Sequence, residues 1–133
     1  QQTTRKGDRM DMNETVNVFV YGTLMKGEHN HYFLEKAEYI GEYKTEARWG
    51  LINVGSFPAL VPHVLEVKGE VYEVSLSTLN TLDRLEGVAH GLYRRRDIVV
   101  YDENDEGIEA EVYLWNAIPK STEAIFPSWR ELA

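Results

Sequence analysis

Alternation of apolar and polar positions marks the first interpretable stretch of the chain. Val16, Val18 and Val20 fall on one face and Asn17, Phe19 and Tyr21 on the other, the period of two that a strand imposes. The run ends in Tyr21-Gly22-Thr23-Leu24, where Gly22 permits a sharp turn that can gather several N–H groups at one point. Residues 1–15 are polar and follow neither period. They are expected to be a disordered leader, or to hold residues ahead of a native start at Met10 or Met12. Residues 16–133 are then expected to form one domain.

Beyond Leu24, Tyr32 to Tyr39 predicts a short helix with Phe33, Leu34 and Ala37 on its apolar side. Tyr39 to Val54 alternates unevenly and is broken by Gly41 and Gly50, which predicts one or two strands that bend or bulge. Gly55-Ser56-Phe57-Pro58 signals a turn, and a second strand pair is expected around Ala59 to Val64. Val67 to Val74 is a clearer strand. Ser75 is the expected N-cap of the next helix, because Val74 and Leu79 then occupy the two positions of a hydrophobic staple; Ser77 is the alternative cap. That helix runs through Leu76, Leu79, Leu82 and Leu85 and stops at Gly87.

After a loop from Gly87 to Gly91, Tyr93 to Asp102 predicts a strand, Glu103 to Gly107 a hairpin turn, and Ile108 to Trp115 the return strand. Ile108, Ala110, Val112 and Leu114 would be covered; Glu109, Glu111 and Tyr113 would be wet. Phe126, Pro127 and Trp129 are expected to staple the last segment onto the body. About six strands with two helices predict an α+β domain, a small mixed and mostly antiparallel β-barrel flanked by short helices.

Charge then narrows the partners. Fourteen Lys and Arg against 22 Asp and Glu leave a net charge of -8, so the basic footprint that nucleic acid or an acidic membrane requires is missing. No apolar run approaches the roughly 20 residues that span a bilayer, and a cytoplasmic location is expected. The sequence has no cysteine, which removes disulfides, thiolate metal sites and a cysteine nucleophile. His29 and His31 are two apart with no third ligand in view, so no metal site is expected.

Two places carry candidate chemistry. The glycine turn at Tyr21 to Leu24 can act as an anion seat, or simply end a strand. Glu86 projects within about 20 degrees of Leu79 on the helix, which turns a carboxylate toward the apolar side in the last turn. Burial and the helix dipole would both raise its pKa, as a base for an ammonium group needs. The other disposition is a frayed last turn with Glu86 in water. Asp83, about 40 degrees from Leu79, is a weaker candidate. Tyr93 can send its hydroxyl toward the same place or fill a core edge. Arg94-Arg95-Arg96 would alternate faces along a strand and pair with acidic side chains.

Val18 to Leu24 followed by Lys26, Gly27, Asn30 and His31, then Gly69-Glu70-Val71-Tyr72, Leu82-Asp83-Arg84-Leu85-Glu86 and Leu92-Tyr93-Arg94, resembles the gamma-glutamyl cyclotransferase-like family. Its gamma-glutamylamine cyclotransferase branch is the most similar. The resemblance implies that the backbone of Tyr21, Gly22, Thr23 and Leu24 holds the α-carboxylate end of a gamma-glutamyl group, that Glu86 is the catalytic glutamate, and that Tyr93 is the pocket tyrosine. It implies a small-molecule gamma-glutamyl substrate, cyclised to 5-oxoproline with release of an amine, by chemistry that calls for no metal or cofactor. The linker Gly87-Val88-Ala89-His90-Gly91 departs from the family pattern on the leaving-group side. The alternative is a non-catalytic module of the same fold that holds a small carboxylate ligand or a peptide terminus. A third reading places the gamma-glutamyl group on a carrier.

Overall fold

Seven strands organise the described part of the chain in the computed structural model, which describes residues 14–55, 57–117 and 124–131. Strand β1 (Thr15–Val20) pairs antiparallel with β5 (Lys68–Ser75), from Thr15 opposite Ser75 to Val20 opposite Glu70. The other edge of β5 takes β2 (Glu38–Lys44), with a register shift between Tyr39 and Gly41. Lys44 of β2 meets Tyr101 of β6 (Tyr93–Tyr101), and β6 forms a long hairpin with β7 (Gly107–Trp115). One parallel pair, Val18 opposite Glu111, brings β7 back to β1 and closes the barrel in the order β1-β5-β2-β6-β7. Strands β3 (Trp49–Asn53) and β4 (Pro58–Pro62) form a separate antiparallel pair. The domain is therefore α+β with a mixed, mostly antiparallel barrel. The leader expected over residues 1–15 lies outside the described residues up to position 13, and β1 opens at Thr15.

Alternation along β1 feeds two packed clusters. Phe19 joins Val71, Val100, Val112 and Leu114, drawn from one face of the barrel strands, while Val18 and Val20 join Tyr72, Val74 and the helix residues Leu79 and Leu82. Fully burying such a side chain contributes roughly 1.5–3 kcal/mol, so both faces of β1 stabilise the fold. Helix α1 (Leu76–Leu85) presents Leu79 and Leu82 to the second cluster. The Ser75 hydroxyl accepts the Thr78 N–H at 3.1 Å, so Ser75 rather than Ser77 is the cap. Gly87 follows the helix with φ 66, a left-handed conformation that glycine adopts without steric cost.

Two expectations are corrected. Tyr32 to Tyr39 is not a helix: a single 3₁₀ turn covers His31–Leu34, and the chain enters β2 at Glu38. So short a segment is marginal as an α-helix, and backbone pairing with β5 outweighs its local pattern. The largely exposed side chains of β2 left no alternation to read. Tyr113 is the second correction. The alternation of β7 puts it on the wet face, but it is buried, because α1 covers that side of β7 and its hydroxyl donates to Asp83 of that helix. The stapling of the last segment is observed, with Phe126 and Leu51 exchanging backbone hydrogen bonds at 2.9 and 2.8 Å. Among the described residues no helix is long and apolar enough to cross a membrane.

Candidate active site

The turn after β1 is held open by its own hydrogen bonds. Met25 N–H donates to the Gly22 carbonyl at 3.0 Å, Asn30 N–H to the Thr23 carbonyl at 2.9 Å, and the Asn30 amide to the Thr23 hydroxyl at 2.9 Å. His31 Nδ1 lies 3.0 Å from the Leu24 carbonyl; a carbonyl only accepts, so that nitrogen carries the hydrogen. Among the described residues no acceptor is paired with the N–H groups of Gly22, Thr23 or Leu24. Buried backbone donors without partners are costly, so such a loop is suited to an incoming anion.

Gly22 is required for a reason the sequence did not show. Its φ is not positive, but a Cβ at that position would stand 2.5 Å from Pro58 Cγ and 2.8 Å from Cδ. The glycine lets β4 pack onto the turn. Pro58 is in turn fixed by Tyr93, whose hydroxyl donates to its carbonyl at 2.8 Å. The Tyr93 ring also meets Trp115 edge-on, with centroids 5.2 Å apart.

A cavity of about 280 Å³ opens between this turn, β4 and the end of α1. The six residues that the resemblance implies all line it, Tyr21, Gly22, Thr23, Leu24, Glu86 and Tyr93, whereas the weaker candidate Asp83 does not. The expected meeting of Glu86 with the glycine turn is therefore observed, and the frayed alternative is not. Glu86 caps α1, with its N–H donating to the Leu82 carbonyl at 2.9 Å. It stands partly exposed on the cavity wall, and burial pushes its carboxyl up to about 7. Burial, one of the two causes expected from its place in the sequence, accounts for the shift. The charge of Glu86 is felt by Tyr21, Tyr93 and Tyr113, whose hydroxyls burial already holds far above their ordinary range.

Tyr113 is a wall residue that sequence reasoning missed. Its carbonyl accepts the Tyr21 hydroxyl at 2.6 Å, and its own hydroxyl donates to Asp83 Oδ1 at 2.7 Å. Asp83 also binds Arg95 through two contacts of 2.8 and 3.2 Å, and Arg95 reaches Glu111 at 2.7 Å. Asp83 is thus a tie between α1 and the β6–β7 hairpin, not a free base. Among the described residues, Arg95 alone of the arginine run pairs with carboxylates; Arg94 donates to Asn116, and Arg96 lies over the Trp49 ring at 5.9 Å.

Comparison with known proteins adds what geometry alone does not. Residues 18–131 match the family model described as gamma-glutamyl cyclotransferase, AIG2-like. A Vibrio cholerae protein of that group is 43% identical over 82 residues, which cover 62% of this chain and 70% of the relative. The gamma-L-glutamyl-butirosin B gamma-glutamyl cyclotransferase of Niallia circulans is 41% identical over 71 residues, 53% of this chain and 45% of its own. The crystal structure of an AIG2-like protein from Mus musculus superposes with a TM-score of 0.76 at 27% identity, covering 87% of this chain and 88% of the other.

Proposed function

This chain belongs to the gamma-glutamyl cyclotransferase, AIG2-like family, and on that premise we propose that it converts a gamma-glutamyl amine or amide to 5-oxoproline and a free amine, with Glu86 as the proton carrier. One observation carries the reading: a desolvated carboxyl, raised to about 7, shares a cavity with backbone donors that have no protein partner among the described residues.

In this mechanism the substrate α-carboxylate sits on the N–H groups of Gly22 to Leu24. Ionised Glu86 takes a proton from the α-ammonium, and the freed nitrogen pair attacks the γ-carbonyl carbon to close the five-membered ring. The tetrahedral intermediate collapses as Glu86 returns that proton to the departing nitrogen and the C–N bond to the amine breaks; the ring nitrogen, which still holds two protons, gives one to the released amine, which leaves as an ammonium ion with Glu86 ionised again. One carboxyl serves both transfers, for which a pKa near neutrality is suited. Holding the two reacting groups of one molecule in a ring-closing pose contributes several kcal/mol more.

A module that only bound such a ligand could pair an ordinary carboxylate with the α-ammonium and would gain nothing from a carboxyl raised to about 7, which favours catalysis. The test is 5-oxoproline release from a panel of gamma-glutamyl amines and gamma-glutamyl amino acids by the parent and by Glu86→Gln. Release by the parent and a loss of about two orders of magnitude in the variant are expected. Binding of glutamate-like ligands without release by either protein would identify the non-catalytic module.

A further inference from the structure

Glu70 is a buried carboxylate that the proposed reaction leaves unused. It lies on β5, 5% exposed. Its Oε1 accepts the Lys26 N–H at 2.9 Å and the Tyr72 hydroxyl at 3.0 Å, and Arg130 Nη1 stands 3.9 Å from its Oε2. Arg130 belongs to the segment 124–131, and its Nη2 donates to the Lys26 carbonyl while its Nε lies 3.4 Å from Glu28 Oε2. Both polar groups of the Lys26 backbone are therefore held by one acid–base pair, the acid from the barrel and the base from the strap.

That residue sits at the tip of the turn whose first residues line the cavity. Met25 N–H donates to Gly22, Glu28 N–H to Met25 at 2.9 Å, and Asn30 N–H to Thr23, so the loop is one connected hydrogen-bonded run. Gly27 follows Lys26 with φ 89 and no atom within 4 Å of where a Cβ would be, so side-chain packing does not fix the tip. The strap is itself anchored, through the Phe126–Leu51 pair and through Lys68 N–H donating to the Pro127 carbonyl at 2.9 Å.

The geometry points to Glu70 and Arg130 as positioning residues for the Gly22–Leu24 seat, fixing the loop in the form that presents its N–H groups to a carboxylate. This rests on the reading of that loop as the carboxylate seat. Neither residue lines the first cavity; both line a second one, of about 380 Å³, together with Met25 of the loop. A seat that grips the α-carboxylate in ground and transition states alike contributes uniform binding, so loosening it raises KM and leaves kcat nearly unchanged.

The test uses Glu70→Gln and Arg130→Ala in the full chain. Each is expected to raise KM for a gamma-glutamyl amine about tenfold, with kcat and the pH midpoint of the reaction unchanged. Hydrogen exchange at the Met25 and Asn30 amides should quicken in both, while the β6–β7 hairpin keeps its protection. If Glu70→Gln fails to fold, the half-exposed Arg130 carries the test alone. Turnover by the parent with KM and exchange unaltered in the variants would overturn the positioning role and leave the reaction standing. A parent that releases no 5-oxoproline would sink the reaction instead, and loop exchange would then decide the positioning role by itself: faster exchange upholds it and unchanged exchange ends it.

Discussion

The Tyr93 hydroxyl donates to the Pro58 carbonyl at 2.8 Å, and through that proline it sets how closely β4 approaches the Gly22 turn. Tyr93→Phe keeps the ring and leaves a buried carbonyl unpaired, which should destabilise the fold by about 1–3 kcal/mol. Thermal unfolding reads that loss. Turnover should fall as the turn loosens, although the hydroxyl takes no part in proton transfer.

Gly22→Ala forces a methyl against the Pro58 ring, whose Cγ is 2.5 Å from the added atom. Overpacking of this kind costs about 1–3 kcal/mol. Pro58→Ala removes the obstructing ring, so the double variant should recover part of the stability, and a double-mutant cycle on chemical denaturation should show coupling of at least about 0.5 kcal/mol. Additive losses would mean that the two residues do not meet.

Rate should follow the ionisation of Glu86. Only the carboxylate accepts the substrate proton, so kcat/KM should climb with pH to a plateau with a midpoint near the value of about 7 at which burial holds the group. Asp83→Asn should lower stability by roughly 1–2 kcal/mol, since Arg95 and Tyr113 both lose a charged partner, yet keep that midpoint. A midpoint that moved with Asp83 and not with Glu86 would reassign the base.

The same ionisation opposes folding. Glu86 titrates near 7 when folded against an ordinary 4.5, so between those values the native state holds a proton that the unfolded chain has lost. Stability therefore falls as pH rises from about 4.5 to about 7 and is level above, by up to about 3 kcal/mol before the partial exposure of the group is discounted. Glu86→Gln lacks this loss. Denaturant melts at pH 5 and pH 8 should find the variant gaining on the parent at the higher pH.

Sequence reasoning reached the elements whose patterns are local. Strand β1, the cap at Ser75, the stop at Gly87 and the β6–β7 hairpin each follow from a few neighbouring residues. What escaped it depends on contacts distant in the chain. The strand β2 has few buried side chains and exists through its pairing with β5. Glu70 reads as the polar member of an alternating strand, yet it shares a face with Tyr72 and Val74, both buried; that spacing was the signal available for it. The reason for Gly22 is Pro58, which no reading of the turn alone could supply.

Barrel closure through the single pair Val18 and Glu111 has a kinetic side. The strand that leads into the turn at the cavity finds its last neighbour only when β7 arrives, so a nascent chain emerging from the ribosome has no closed cavity until β7 has been made. Joining partners so far apart is entropically slow, and refolding on the scale of milliseconds to seconds is expected. Until that late step the two halves of the cleft belong to an open sheet, and catalytic competence should appear together with the final cooperative phase of folding.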